Sequence, residues 1–293
     1  MDNLVIKIFI EMYEMSKTNE ICELMKEHKL DFLDGKKSLH ISEALTIIIS
    51  FHISKCKDFK AFYKSVFSEK NSDWSYAFPL VPSYERLIEI KNSLKAILEI
   101  AMNKFFENNI PEGEDIKAFA DSFSIETVKM ARRHSAKTLK KISKLGHTSM
   151  GAFFGAKLHI VALPNGNLIK ASITPGNVAD NNHDLLRKLT SPIKGTLYGD
   201  KGYNLKKSFK DELKENGLDV IAKPRSNMKN KSKLKKEDAE MLKKRPLIES
   251  IGNILKNFFS LKYQFHRCLD AFYCHIFALL IAYSLRDEKP SCA

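Results

Sequence analysis

The sequence predicts an α/β protein, with an all-helical region over residues 1–110 and a mixed α/β domain over 115–293. Before Asn108, apolar residues recur at the three- and four-residue spacing of helices. After residue 115, short apolar runs bounded by Gly, Pro and Asn alternate with helical patterns. Between them, residues 108–115 contain Pro111 and Gly113 and read as a hinge.

In the first region Leu4, Ile8 and Tyr13 begin one helix, and Ile21, Leu24 and Met25 a second. Ser42 is placed to cap a third through Ile47 to Ile53, and Ser83 to cap a long helix whose apolar residues Tyr84 to Phe105 keep helical spacing until Pro111. Trp74 and Tyr76 read as core or as a base-stacking surface. Past the hinge, 117–123 is an apolar strand interrupted by Asp121. Strands over 152–163 and 168–174 flank Pro164-Asn165-Gly166-Asn167, a hairpin turn. A helix over 182–189, a strand over 196–198, a helix over 205–215 and a strand over 219–222 follow. Pro246 suits the first turn of a helix reaching about residue 260, and 270–285 is the last helix.

The chain of 293 residues carries 48 Lys and Arg against 35 Asp and Glu, a net charge of +13. That charge is unevenly spread: residues 1–114 sum to −3 and the remainder to +16. Seven basic residues and no acid fall in 129–147, including Arg132 and Arg133, and ten basic against three acidic fall in 223–245. One such run is ordinarily a solvated surface; two in one domain make nucleic acid the leading partner. The longest apolar runs, 45–51 and 276–283, fall far short of the roughly 20 residues a membrane helix needs. The N-terminus lacks a basic secretory leader, and five scattered Cys with no C-x-x-C spacing fit a reducing cytoplasm rather than a disulfide framework or a zinc site.

Three carboxylates stand out: Asp121 inside an apolar strand, Asp200 at the end of a strand in Gly199-Asp200-Lys201-Gly202-Tyr203, and Glu249 opening an amphipathic helix. Carboxylate oxygens are what magnesium prefers, and two ions about 4 Å apart could serve the attacking and leaving oxygens of a phosphoryl displacement. Taken singly, Asp121 also reads as a turn residue and Asp200 as a helix cap. Arg245 and Lys256 lie four residues before and seven after Glu249, so on a continuous helix all three share one stripe. His159 reads as packed on its strand or near the site, Asp180 and Asp184 as ligands competing with Asp200 or, better explained, as capping residues, and His266-Arg267 as an exposed pair or a phosphate contact.

Ala120-Asp121-Ser122, Ser149-Met150-Gly151 through Gly155-Ala156-Lys157-Leu158-His159, Thr174-Pro175-Gly176-Asn177-Val178, Gly199 to Tyr203, Arg245-x3-Glu249-x6-Lys256 and Ile281-Ala282-Tyr283-Ser284 follow in order. This set resembles the DDE transposases of bacterial insertion sequences, with family 982 the nearest resemblance, over most of the chain. The resemblance implies an RNase H-like core, a mixed sheet flanked by helices, with Asp121, Asp200 and Glu249 as the catalytic, metal-binding triad for two Mg2+ or Mn2+ ions. It implies hydrolysis at the terminal inverted repeats, transfer of the freed 3′-hydroxyl into target DNA, a homodimer in the active complex and a cytoplasmic, nucleoid-associated location. Residues 1–110 then recognise element ends or pair protomers. The phosphate contacts expected are Arg245, Lys256, Lys201, Arg132, Arg133, Lys229, Lys231, Lys233 and Arg267, with the lysine-rich segment 223–244 a mobile loop closing over DNA. Related families often carry Tyr three residues before the motif Arg, where this chain has Leu242. A nuclease of the same fold without strand transfer, or an inactive protein occupying element ends, shares these residues.

Overall fold

A computed structural model describes residues 3–67, 73–113, 115–148, 151–191, 193–223, 234–259, 261 and 266–292. The described residues begin with the α-helices α1 (Asn3–Ser16), α2 (Asn19–Glu27), α3 (Ile41–Ser50), α4 (Phe59–Phe67), α5 (Asp73–Ala77), α6 (Tyr84–Ser93) and α7 (Lys95–Asn108). Four strands follow: β1 (Ile116–Glu126), β2 (Lys144–Thr148), β3 (Gly151–Ala162) and β4 (Leu168–Pro175). Then come α8 (His183–Thr190), β5 (Gly195–Gly199), α9 (Lys207–Glu215) and β6 (Leu218–Ala222), and finally α10 (Lys236–Lys244), α11 (Pro246–Asn257) and α12 (Leu269–Ser284). The chain divides into two compact units, Met1–Lys104 with Leu255–Asp287 and Phe105–Ile254 with Glu288–Ala293.

In the helical unit, α1 buries Val5, Ile8, Met12 and Met15, one stripe at helical spacing, against α3. Tyr13, expected on that stripe, is 41% exposed, because Met12 and Met15 supply the inward positions of that turn. The cap of α3 is His40 rather than Ser42: the His40 ring accepts from the Ser42 N–H while the Glu43 carboxylate accepts from the His40 N–H. Ser83 does cap α6, accepting from the Arg86 N–H, but the long helix expected to run to Pro111 breaks at Leu94 into α6 and α7. The apolar spacing continues across that break, so the sequence pattern does not register it. Trp74 packs edge-on against Phe62 and Phe67, whereas Tyr76 is 72% exposed. Helix α12 is apolar all round and lies against α3 and α6, buried throughout Ile276–Tyr283, as a helix without a polar face must be.

The other unit is built on a six-stranded mixed sheet ordered β2-β3-β1-β5-β6, with β4 also paired to β3. β1 runs antiparallel to β3 and parallel to β5, and β5 parallel to β6. The β3–β4 hairpin turns at Asn165-Gly166, where the Asn165 side chain accepts from the Asn167 N–H. Ala118 and Ala120 of β1, Leu197 of β5 and Val220 of β6 share a core with Leu186 and Leu189 of α8 and Phe209 and Leu213 of α9.

In the sheet unit, two elements are not expected from the sequence. β2 forms within the basic run because β3 offers it an antiparallel template from Gly151 to Gly155. Residues 236–244, expected as part of a loop, form α10: Glu237 and Asp238 open it and Lys243 and Lys244 close it, matching charge to the helix dipole. The Tyr198 hydroxyl of β5 donates to Asp238 at 3.0 Å and ties α10 to the sheet. Among the described residues no helix is long and apolar enough to cross a membrane.

Candidate functional site

The strand period of two puts Phe119, Asp121 and Phe123 on the face of β1 opposite the Ala118–Ala120 core. Asp121 therefore lies in a strand rather than a turn. Extending the parallel β1–β5 register, in which Phe119 sits beside Tyr198, by two residues brings Asp200 alongside Asp121. Asp200 also does what a cap does: its Oδ1 accepts from the Gly202 N–H at the start of the short turn Lys201–Tyr203. The cap reading of Asp200 therefore holds, at the end of the strand where the sequence puts it.

Glu249 arrives on α11, whose approach to β1 depends on Gly252, one turn further along the same helix face. A Cβ at Gly252 would collide with the Phe123 ring. Arg245, between α10 and the opening Pro246 of α11, connects these elements: its guanidinium donates to Asp121 Oδ2 at 3.0 Å and to Glu249 Oε1 at 2.9 Å. The side chains of Arg245 and Asp121 are each 17% exposed, that of Glu249 58%. Burial pushes the Asp121 carboxyl up to about 6, against the lowering by Arg245 and the Ser122 N–H, and the neighbouring Asp200 and Asp180 carboxylates push the same way.

Asp180 was read from sequence as a capping residue, but Asn182 caps α8, accepting from the Leu185 N–H. Asp180 instead accepts from Lys157 Nζ at 3.3 Å and lies 3.7 Å from Nδ1 of the fully buried His159. The other His159 nitrogen meets Thr174 Oγ1 at 2.9 Å, and burial holds the imidazole down to about 4. A Cβ on Gly202 would stand 2.8 Å from Asp200 Oδ1 and 3.4 Å from Asp180 Oδ2, so that glycine lets the two carboxylates face each other. Beneath them Tyr203 is wholly buried, its hydroxyl meeting no hydrogen-bond partner among the described residues and held in the protonated form first by burial and then by Asp121, Asp180 and Asp200. Asp184 is exposed and paired with Arg187.

Asp200, Arg245 and Glu249 line an open cleft of about 720 Å3 together with Lys201, Lys223 and Lys243. Leu242, at the position where related families carry Tyr, lines it too. Residues 112–269, which contain every group in this site, match the family described as Transposase DDE domain. The chain belongs to that family. Neither a curated protein nor a solved structure matches it.

The remaining phosphate candidates of this DDE transposase are scattered. Lys256 lies on α11 two turns beyond Glu249 and is half-buried. Arg132 is exposed in the turn Met130–Arg132, and Arg133 folds back on the Met130 carbonyl at 3.4 Å. Lys229, Lys231 and Lys233 lie outside the described residues. Arg267 is exposed but belongs to the helical unit, not the unit of the carboxylates. Its neighbour His266 is no part of an exposed pair: the ring packs against Phe272 and His275, and burial lowers it to about 3.

DDE transposase domains generally use divalent metal, and the donor set here suits it in kind, since Asp121, Asp200 and Glu249 offer only hard carboxylate oxygens. In arrangement, no three His, Cys, Asp or Glu side chains among the described residues meet so as to hold an ion. The Arg245 guanidinium bridges two of the three acids. Sequence reasoning weighed Asp180 as a ligand but preferred a cap, and it gave Lys157 and Tyr203 no place in the site; the available signal was Lys157 and His159, two apart on a strand and so on one face.

Proposed function

We propose that this chain is the transposase of a bacterial insertion sequence of the family 982 type, with its RNase H-like catalytic core in the unit Phe105–Ile254 with Glu288–Ala293 rather than over the whole of 115–293. In this reading it hydrolyses a phosphodiester at its element's terminal inverted repeats and directs the freed 3′-hydroxyl into target DNA. The observation that carries the proposal is that Arg245 joins Asp121 of β1 to Glu249 of α11 within one compact unit, with Asp200 at the end of β5 neighbouring Asp121 and lining the same cleft as Arg245 and Glu249.

The cleft supplies what an in-line displacement on a DNA phosphate requires from the protein. Lys201, Lys223 and Lys243 bring positive charge to the phosphodiester, and the carboxylates orient the attacking oxygen. Water and a 3′-hydroxyl present the same nucleophilic atom, so one constellation serves both hydrolysis and transfer. Asp121, Asp200 and Glu249 would hold Mg2+ or Mn2+, which when bound neutralises phosphate charge and acidifies the attacking oxygen. Residues 1–110 serve end recognition or protomer pairing in a homodimer. With a net charge of −3 over 1–114 they lack long-range attraction to DNA and act through local surface.

The test is a Mg2+-dependent nicking and strand-transfer assay on DNA carrying the repeats that flank the gene. Joined products are expected with the wild-type chain; Asp121→Asn and Glu249→Gln should bind the DNA and form none. Nicking without joining would reduce the reading to a nuclease, and no Mg2+-dependent cleavage at all would overturn it.

A further inference from the structure

We propose that Arg245 is the resident counter-cation of the carboxylate site: without metal and DNA its guanidinium occupies Asp121 and Glu249, and a divalent ion enters by displacing it toward the cleft and a DNA phosphate. The inference rests on the metal-dependent reading above.

Its first support is geometric. The guanidinium donates to one oxygen of Asp121 and one of Glu249 at 3.0 and 2.9 Å, so an ion shared by those carboxylates would be directly beside a fixed positive charge. Like charges at that separation repel strongly in a poorly solvated site. Guanidinium and ion are thus alternatives for the same acids.

The second support is that the arginine is held incompletely. Among the described residues its Nε is buried and meets no hydrogen-bond partner, which weakens the case for a permanent structural salt bridge. Of its two ion pairs, the one to Glu249 opens to water, the carboxylate being 58% exposed, and water competes well for such a contact. Release can therefore start at Glu249, leaving the buried Asp121 contact to be exchanged for the ion.

The third is position. Arg245 lines the cleft with Lys201, Lys223 and Lys243, so a displaced guanidinium has a basic, phosphate-binding surface to join. A planar fork donor suits a phosphate as well as it suits a carboxylate. Metal and DNA binding then support each other: the ion releases the arginine, and the phosphate keeps it released.

The test measures Mn2+ binding to the full chain without DNA, by the loss of the free-ion electron spin resonance signal, in wild type, Arg245→Gln, Asp121→Asn and Asp200→Asn. Folding of each variant is checked by circular dichroism. Displacement predicts that Arg245→Gln binds Mn2+ roughly tenfold or more tightly than wild type, since it removes a cation competing at contact distance. Equal or weaker binding by a folded Arg245→Gln overturns the proposal. Should that variant fail to fold, phenylglyoxal labelling of the wild-type chain read by mass spectrometry decides: Mg2+ should raise Arg245 modification several-fold, and no increase overturns the proposal. If Asp121→Asn and Asp200→Asn bind Mn2+ as wild type does, the carboxylate reading falls and the displacement with it. Binding lost in those two variants but not tightened in Arg245→Gln removes the displacement alone.

Discussion

Both units bury titratable groups, yet they treat them in opposite ways. In the helical unit the His275 ring packs edge-on against His52 and tilted against His266, and burial holds His52 and His266 at about 3, so that they are neutral. Lys91, nearly buried beside them, is lowered by the same desolvation. In the sheet unit Asp121 is also buried, but Arg245 stands against it at 3.0 Å and two more carboxylates adjoin it. Burial by itself therefore says little about function. What separates the regions is that one holds His52 and His266 neutral in an apolar interior, whereas the other keeps opposite charges together at the edge of an open cleft.

The contrast is broken most strongly by activity. Asp200→Asn should lower nicking by roughly 10²–10³-fold or more, the scale on which a single preorganised electrostatic group acts. His52→Leu, in the helical interior, should alter nicking only as far as it alters the folded fraction. Comparable loss from both at equal folded fraction would erase the distinction.

A stability measurement comes next. A methyl group at Gly252 would meet the Phe123 ring, so Gly252→Ala should cost about 1–3 kcal/mol in chemical denaturation. It should also reduce nicking beyond its effect on stability, because α11 carries Glu249. A neutral outcome would mean that α11 approaches β1 less closely than described.

The pH response sharpens the comparison. His52 and His266 sit at about 3 when folded against an ordinary 6.5, so folding favours their neutral forms. Their contribution is complete above pH 6.5 and is lost as pH falls from there toward 3. Acid should therefore destabilise the helical unit, visible as faster hydrogen exchange in α3 and α12 at pH 4.5 than at pH 7 after correction for intrinsic rates. His52→Leu should flatten that difference; an unchanged acid response would show that His52 does not contribute.

The smallest effect expected is in salt dependence. Replacing Lys201, Lys223 and Lys243 together by Ala should flatten the slope of log affinity against log salt by about 0.9 per phosphate contact, roughly two to three in all. An unchanged slope would leave the cleft lysines as surface charge.

Much of the sheet unit was legible because its signals are local. The hairpin between β3 and β4 is written in Pro164-Asn165-Gly166-Asn167, and Asp121 is conspicuous because a charge interrupts an apolar strand. The pairing of Asp180 was hidden because Lys157 and His159 are more than twenty residues away and meet it only through folding. β2 was hidden because most of its residues are exposed and its pairing comes from β3. In α10 the lysine-rich composition masked a helix whose anchor, Tyr198 to Asp238, spans 40 residues. The place of α12 among the N-terminal helices was likewise beyond reach, since an apolar helix states that it is buried without stating against what.

The most direct measurement of the central claim is a crystal structure of the chain with Mn2+ and a DNA end, with manganese located by anomalous scattering. The account predicts at least one manganese peak within coordination distance, about 2.2 Å, of both Asp121 and Asp200, with the scissile phosphate alongside and Arg245 turned from Asp121 toward DNA. Manganese bound elsewhere, with the Arg245 bridge to Asp121 and Glu249 intact and the DNA still cleaved, would contradict it.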